Sequence, residues 1–215
     1  NILFIDHHRQ VVNCIDNAVL SLHEPYASSA SEMVAEVIQY FGYEQLSSYY
    51  ADAMLAGIML DTKDFVMKTG VRTFEAAAYL KKLGADTVAV KRLFAISIET
   101  GIKRSQLVET AEIYNRCAIA ASEDSSDGIR IATSQAADEL LGIQGVDASF
   151  VIYAAGTGAN ISARSFGIMN VQIIMEHLGG GGHQTMAAAQ LKDISVSDAK
   201  KQLMAAIDEY IRSIS

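Results

Sequence analysis

The sequence contains few of the residues that cross-link a chain or break its helices. Its two cysteines, Cys14 and Cys117, are far apart and form no C-x-x-C motif. This scarcity argues against a disulfide framework and against a cysteine zinc site, so we expect two reduced thiols in a cytoplasmic protein. The single proline, Pro25, fits a helix-rich chain in which glycine ends the helices.

Basic residues are also scarce. The 215 residues include 17 Lys and Arg against 25 Asp and Glu, for a formal net charge of −8. Because binding to polymeric DNA depends on clustered Lys and Arg, we expect no such partner, and any phosphate must sit in a local basic or metal-lined pocket. No apolar run reaches the roughly 20 residues of a membrane span, so we expect no membrane contact by this chain itself. A hydrophobic content of 50% is typical of one or two globular domains.

The first half of the chain is predicted to be one strand followed by helices. Residues 2–5 form an apolar run that predicts a buried strand. Ser29 and Glu32 form a capping box, which predicts the start of a helix. Helices are predicted at about 30–41, 46–60 and 72–83, and a helical connector at about 98–116.

Shorter elements follow the connector. Strands are predicted at 117–121, 129–133, 150–155, 160–166 and 187–191, and helices at 134–141, 170–178 and 197–211. Asp127-Gly128 is a tight-turn dipeptide, so the first two strands are predicted to form a hairpin. The second half is therefore predicted to be an α+β domain with an antiparallel or mixed sheet.

Ionisable side chains follow the first predicted strand. Asp6, His7 and His8 come at its end, where open α/β sheets place their ligands. Adjacent side chains point to opposite sides there, so one histidine can bind a metal while the other faces a substrate. The neighbouring carboxylate can orient the rings. The alternative interpretation is a surface turn with two incidental histidines.

Asp61 ends the helix predicted at 46–60. A lone aspartate in that position is more often a cap or a solvated residue, and it gains weight only by pairing with His7. Oxygen and imidazole ligands together suit Mn²⁺, Mg²⁺, Fe²⁺ or Zn²⁺. Two ligands alone do not make a metal site.

A glycine-rich segment is the strongest chemical signal in the sequence. Gly179, Gly180, Gly181 and Gly182 precede His183, and backbone N–H groups of such a loop can converge on an anion. A flexible linker is the alternative, but linkers usually lie between domains and are rich in serine or proline. We therefore favour an anion-binding loop, with the histidine donating to a phosphate oxygen.

The strand predicted at 160–166 carries a group suited to phosphate. Ser162 and Arg164 project to the same face of this strand, with Ser165 beside them. An arginine on a strand is usually solvated, but its planar guanidinium becomes a natural phosphate clamp beside an anion-binding loop.

Taken in this order, the motifs resemble the DHH/DHHA1 phosphoesterases. The resemblance covers essentially the whole chain and rests on Asp6-His7-His8, Leu60-Asp61-Thr62, Arg164-Ser165 and Gly179–His183. Other stretches are similar to the GdpP-type cyclic-di-AMP phosphodiesterases, namely Glu24–Glu32, Leu60–Phe65, Arg72–Ala77, Ile161–Ser165 and Asn170–Gln172. The implied fold is α/β, with the carboxy-terminal part of a parallel-sheet DHH domain at 1–95. A helical connector at 96–116 joins it to an α+β DHHA1 domain with a mixed sheet at 117–215.

The resemblance also implies roles for individual residues. His7 and Asp61 correspond to ligands of one of two Mn²⁺ ions. Asp6 and His8 correspond to catalytic residues, Asp6 supporting the ligands and His8 lying next to the scissile phosphate. The substrate-binding wall corresponds to Ser162, Arg164, Ser165, Asn170, Gly179, Gly180, Gly181, Gly182 and His183. The implied reaction is hydrolysis of cyclic-di-AMP to pApA by metal-activated water.

The sequence departs from the family in one respect. The family carries an upstream His-x-x-x-Asp-x-Asp motif and a further metal-bridging aspartate, and this chain contains neither. We therefore expect a fragment with an incomplete metal site that binds Mn²⁺ poorly and turns over little substrate. Hydrolysis of short oligoribonucleotides or pAp, and non-catalytic binding of a cyclic or linear dinucleotide, are the alternatives. The resemblance further implies a homodimer and, in intact members, an amino-terminal membrane anchor.

Overall fold

The chain folds into two compact units. A computed structural model describes residues 2–8, 15, 17–43 and 45–214, and the boundary between its units falls between Ala95 and Ile96. Cys14, expected to be a reduced thiol, and Asn1 lie outside the described residues. In the part of the chain that is described, no helix has the length and apolar composition needed to cross a membrane.

The described residues of the first unit form a short parallel sheet and four helices. β1 (Leu3–Asp6) pairs in parallel with β2 (Leu20–His23), so that Asp6 lies opposite His23. The helices are α1 (Ala30–Tyr40), α2 (Ser48–Thr62), α3 (Val71–Lys82) and α4 (Thr87–Leu93). The sequence prediction contains neither β2 nor α4, both of which are short.

The start of α1 follows from its local sequence. The hydroxyl of Ser29 accepts a hydrogen bond from the backbone N–H of Glu32 at 3.0 Å, which confirms the predicted start of the helix. The carboxylate of Glu32 accepts from the hydroxyl of Ser28 instead of completing the capping box. α1 also approaches α2 closely, because a Cβ atom at Gly57 would lie 2.2 Å from Oγ of Ser31.

The buried face of α2 differs in part from the predicted one. The helical spacing of the sequence predicts an apolar stripe of Tyr50, Met54 and Ile58, but Tyr50 is 58% exposed. Ile58 of the predicted stripe is buried, together with Ala51 and Leu55, and Met54 packs partly buried against them. Because α2 is apolar on nearly every side, its sequence does not indicate which of two adjacent rows faces the core.

The second unit is built on a six-stranded mixed sheet with the order β3-β4-β5-β6-β8-β7. The strands are β3 (Glu112–Tyr114), β4 (Cys117–Ser122), β5 (Ala148–Ala155), β6 (Gly158–Ser165), β7 (Gly181–His183) and β8 (Met186–Leu191). The helices are α5 (Ile98–Glu109), α6 (Ile129–Leu140), α7 (Val171–His177) and α8 (Val196–Ile214). β4 and β5 are parallel and the other neighbours are antiparallel, which confirms the predicted mixed sheet.

Two segments of the second unit were predicted wrongly. The helix expected to reach residue 116 ends at Glu109, because β3 pairs with β4 through a left-handed turn at Asn115 and Arg116. The strand and hairpin expected at 129–133 are the first turns of α6. The buried residues of this helix recur at helical spacing: Ile129, Ala132, Thr133, Ala136, Ala137 and Leu140.

Helices cover the two faces of this sheet unequally. α7 and α8 pack on one face, where Phe150 and Ile161 lie in the core. α5 and α6 pack on the other face, mainly against β4 and β5 through residues such as Ala120 and Val151. On this second face β6, β8 and β7 stay open beside α6. That open part of the sheet positions the site.

Cys117, at the start of β4, is fully buried. Burial raises the pKa of its thiol from the ordinary 9.0 to about 12. Because the thiolate is the reactive form, we expect alkylation of Cys117 at pH 8 to be about 1,000-fold slower than that of an unperturbed thiol. Mass spectrometry of the Cys117 peptide after iodoacetamide treatment measures this rate. Equal labelling of the native and the guanidinium-unfolded protein would contradict the prediction.

Candidate functional site: a cationic cavity and a pair of metal donors

An open cavity lies in the second unit, between α6 and the uncovered part of the sheet. Its volume is about 410 Å³, which is within the range of small-ligand sites. Its lining comprises Arg130 and Ser134 from α6, Tyr153 from β5, Asn160–Ser162 and Arg164 from β6, Gly181–His183 from β7 and Met186–Gln190 from β8. Asn160, Ser162 and Arg164 alternate along β6, so their side chains share one face of the sheet.

Arg164 is held in a fixed orientation at this cavity. Its side chain is nearly buried, with Nε donating to Oδ1 of Asp138 at 3.1 Å. Nη1 donates to the carbonyl oxygen of Ala163 at 2.9 Å. These two bonds fix the plane of the guanidinium and use only part of its donors. A fixed arginine loses little side-chain entropy when it binds a ligand.

The cavity is cationic although the chain is acidic. Arg130 and Arg164 both line it, together with His183, whereas the carboxylate of Asp138 is bound to Arg164. The whole chain has a net charge of −8. Two guanidinium groups on one small cavity therefore indicate a binding site for an anion with phosphate-like oxygens.

Neutral groups on the sheet complete the cavity wall. Nδ2 of Asn160 donates to the hydroxyl of Tyr153 at 3.0 Å, which holds the amide in place. The hydroxyl of Ser162 has no hydrogen-bond partner among the described residues. Met186 is 45% exposed and adds apolar surface at the same face. The mixture suits a ligand that combines phosphate with an apolar ring.

The glycine-rich segment is not an open loop of four glycines, which corrects the expectation. The N–H groups of Gly179 and Gly180 donate to the carbonyls of Glu176 and Met175 at the end of α7. Gly181–His183 form the edge strand β7, paired with β8. Of the predicted segment, only Gly181, Gly182 and His183 line the cavity. The glycines serve close packing: a Cβ atom at Gly180 would lie 2.2 Å from the carbonyl oxygen of Ala188.

Two other predicted substrate residues have structural partners outside the cavity. The hydroxyl of Ser165 is fully buried, donates to the carbonyl of Met169 at 2.6 Å and accepts from the N–H of Gly167. Asn170 caps α7, its Oδ1 accepting from the N–H of Gln172 at 3.1 Å. Neither residue lines the cavity. Among the predicted side chains, Ser162, Arg164 and His183 do.

In the first unit the structure brings His7 and Asp61 together. Nε2 of His7 lies 3.4 Å from Oδ2 of Asp61. Nδ1 of His7 faces the carbonyl oxygen of Ala27 at 3.4 Å, which favours the proton on Nδ1 and leaves the Nε2 lone pair for a metal. The two donors fit a divalent transition metal in type. Among the described residues no third His, Cys, Asp or Glu joins them.

Asp6 contacts the ring of His8. Nδ1 of His8 lies 2.6 Å from Oδ1 of Asp6, and this side-chain hydrogen bond lowers the pKa of Asp6 below its ordinary value. Nε2 of His23 donates to the carbonyl oxygen of His8 at 2.5 Å. The carboxylate therefore orients the exposed His8 and directs its Nε2 away from Asp6.

Several polar residues that line the cavity are absent from the site predicted from sequence, among them Arg130, Ser134, Tyr153 and Asn160. Arg130 falls in the segment predicted as a strand and Ser134 at the start of the helix predicted after it, so their i, i+4 spacing on one helix was not recognised. Tyr153 and Asn160 are cross-strand neighbours on β5 and β6. That proximity depends on the strand register, which the sequence motifs do not contain.

Known proteins match this chain over nearly its whole length. The DHH family, N-terminal domain, matches residues 1–58, and the DHHA1 domain matches residues 117–213. The chain is 46% identical over 213 residues to the cyclic-di-AMP phosphodiesterase PdeA of Listeria monocytogenes. It is 48% identical over 213 residues to the cyclic-di-AMP phosphodiesterase GdpP of Geobacillus thermodenitrificans. Both alignments cover 98% of this chain and 32% of the relative, so the chain spans about a third of the length of these relatives.

A solved structure shares the fold. An exopolyphosphatase-related protein from Bacteroides fragilis superposes with a TM-score of 0.85 at 22% identity, over 97% of this chain and 63% of that one. This likeness, together with the parallel β1–β2 pair and the mixed sheet, confirms the predicted fold class. The two domain matches also follow the order of the sequence motifs. The chain therefore belongs to the DHH/DHHA1 family.

Proposed function

We propose that this chain is part of a phosphodiesterase that opens cyclic-di-AMP to linear pApA. The observation that carries the proposal is the cationic cavity, in which Asp138 and Ala163 fix Arg164 on an open sheet face. The names of the two bacterial relatives support the same substrate. A small anionic ligand also agrees better with an acidic chain than a polymeric nucleic acid does.

The second unit supplies the ligand-binding groups in this proposal. Arg164 donates to a phosphate oxygen of the dinucleotide through N–H groups that its two internal bonds leave unused. Ser162 and His183 add a hydroxyl and an imidazole donor on the neighbouring strands. Met186 offers an apolar contact to a base.

The first unit supplies a partial metal site and a histidine for proton transfer. His7 and Asp61 would hold a divalent ion with donors from outside the described residues. Such an ion lowers the pKa of a bound water and neutralises phosphate charge. His8, held by Asp6 through Nδ1, keeps Nε2 available to donate or accept a proton at a substrate oxygen.

The small number of metal-donating side chains among the described residues predicts weak metal binding by the 215-residue chain. We expect a calorimetric titration with Mn²⁺ to show fewer than two tight sites, because the described residues bring together only His7 and Asp61. His7→Ala should weaken the remaining binding, whereas His177→Ala on α7 is the matched control. Two tight Mn²⁺ ions per chain would contradict the proposed partial site.

A substrate panel tests the reaction. A longer protein that contains this chain would be incubated with Mn²⁺ and cyclic-di-AMP, pApA, pAp or a short RNA, and the products separated by chromatography. We expect pApA from cyclic-di-AMP, with turnover lost in chelator and in Asp61→Asn. Faster hydrolysis of pAp or RNA would favour the oligoribonuclease-like alternative. Binding without turnover, indifferent to chelator, would favour a non-catalytic module. The homodimer and the membrane anchor remain predictions.

A further inference from the structure

Arg130 lies on the wall of the cavity that α6 forms, and no described residue pairs with it. It lines the cavity from the first turn of α6 and is exposed. Among the described residues it makes no hydrogen bond or ion pair, whereas Arg72, Arg116 and Arg164 each bind a carboxylate. An unbalanced guanidinium at the mouth of a cationic cavity adds to its attraction for anions.

The position of Arg130 is not explained by the stability of α6. A cation in the first turn of a helix is opposed by the helix dipole, and the first turn of α6 contains no acidic residue to offset it. Ser134 lies one turn further on the same face and also lines the cavity. The face of α6 beside the cavity therefore offers a guanidinium and a hydroxyl to a ligand.

Arg130 and Arg164 lie on different walls of the cavity. Arg164 belongs to β6 and is nearly buried, whereas Arg130 belongs to α6 and is exposed. Cyclic-di-AMP and pApA each carry two phosphate groups. Guanidinium groups on two walls can each bind one phosphate, so they suit a ligand with two phosphates better than a ligand with one.

We propose that Arg130 binds the second phosphate of the dinucleotide and so selects ligands with two phosphates. This inference rests on the proposed function, because it takes the cavity as the dinucleotide site. Arg164 holds one phosphate, and Arg130 holds the terminal phosphate of pApA or the second diester of cyclic-di-AMP. A dinucleotide with a single phosphate leaves Arg130 unused.

Two ligands that differ only in the terminal phosphate test this assignment. The affinities of the 215-residue chain for pApA and for ApA would be measured by calorimetry, in the wild type and in Arg130→Gln. We expect Arg130→Gln to weaken pApA binding by about 10- to 100-fold and ApA binding by less than about 2-fold. Arg92→Gln, which removes an exposed arginine from the first unit, is the matched control and should change neither affinity.

The outcomes separate this inference from the proposed function. If the wild type binds pApA and cyclic-di-AMP but Arg130→Gln binds both as tightly, the role of Arg130 is wrong and the dinucleotide site stands. Equal losses for pApA and ApA would also overturn the second-phosphate role. If the wild type binds neither pApA nor cyclic-di-AMP, both proposals fail. An unchanged thermal melting curve for Arg130→Gln shows that the exposed substitution has not disturbed the fold.

Discussion

Replacing Arg164 by alanine is expected to weaken cyclic-di-AMP binding by about 10- to 150-fold, because a charge-assisted hydrogen bond contributes roughly 1.5–3 kcal/mol. The loss is expected to be large because Arg164 is already held by Asp138 and Ala163, so little ordering offsets its contact with phosphate. Equilibrium binding of cyclic-di-AMP to the 215-residue chain, in the presence of chelator, measures the effect without the metal chemistry.

The matched control for Arg164 is Arg116→Ala. Arg116 also pairs with a carboxylate, that of Asp147 at 2.5 Å, but it lies outside the cavity lining. We expect this variant to bind cyclic-di-AMP as the wild type does. Because Arg164 is nearly buried, Arg164→Lys serves as a second variant that keeps the charge and loses the planar fork. Wild-type affinity in both Arg164 variants would remove this residue from the site.

Replacing Gly180 by alanine is expected to lower the free energy of unfolding of the second unit by about 1–3 kcal/mol, the usual cost of overpacking. The added Cβ atom would lie 2.2 Å from the carbonyl oxygen of Ala188 and 2.7 Å from Cα of Ala189. β7 and β8 must move apart to relieve these contacts, which displaces His183 from the cavity. Urea denaturation and the affinity for pApA measure the two consequences.

Gly181→Ala is the control for this prediction. A Cβ atom at Gly181 meets no atom within 4 Å, and its φ lies outside the left-handed region. We expect this neighbouring variant to unfold within about 0.5 kcal/mol of the wild type, as for ordinary surface changes. If Gly180→Ala were as stable as Gly181→Ala, close packing of β7 against β8 would not explain the glycine-rich segment.

The fold could be predicted wherever local sequence decides it. Ser29 marks the start of α1 because its hydroxyl satisfies a helix N–H that has no other partner. The segment from Ile129 was misread because the Asp127-Gly128 turn suggested a hairpin, whereas Gly128 precedes a helix. β2 was missed because a four-residue strand paired with β1 depends on a partner distant in sequence.

The candidate site could be predicted only where its residues differ clearly from their sequence surroundings. Asp6, His7 and His8 stand out after an apolar strand, and His7 does meet Asp61. Ser162 and Ser165 look alike in sequence. The hydroxyl of Ser165, however, donates to the carbonyl oxygen of Met169 and accepts from the N–H of Gly167. That difference arises from the turn after β6. The place of Arg130 in the cavity depends on the packing of α6 beside the sheet, which the sequence motifs do not indicate.

The most direct measurement compares hydrogen–deuterium exchange of the backbone amides with and without cyclic-di-AMP. The central claim is that this dinucleotide binds the cavity between α6 and the open sheet face. It predicts slower exchange on ligand addition in peptides covering the first turns of α6, β7 and β8, and no such change in Arg164→Ala. Unchanged exchange in these three elements at saturating cyclic-di-AMP, or protection confined to other segments, would contradict it.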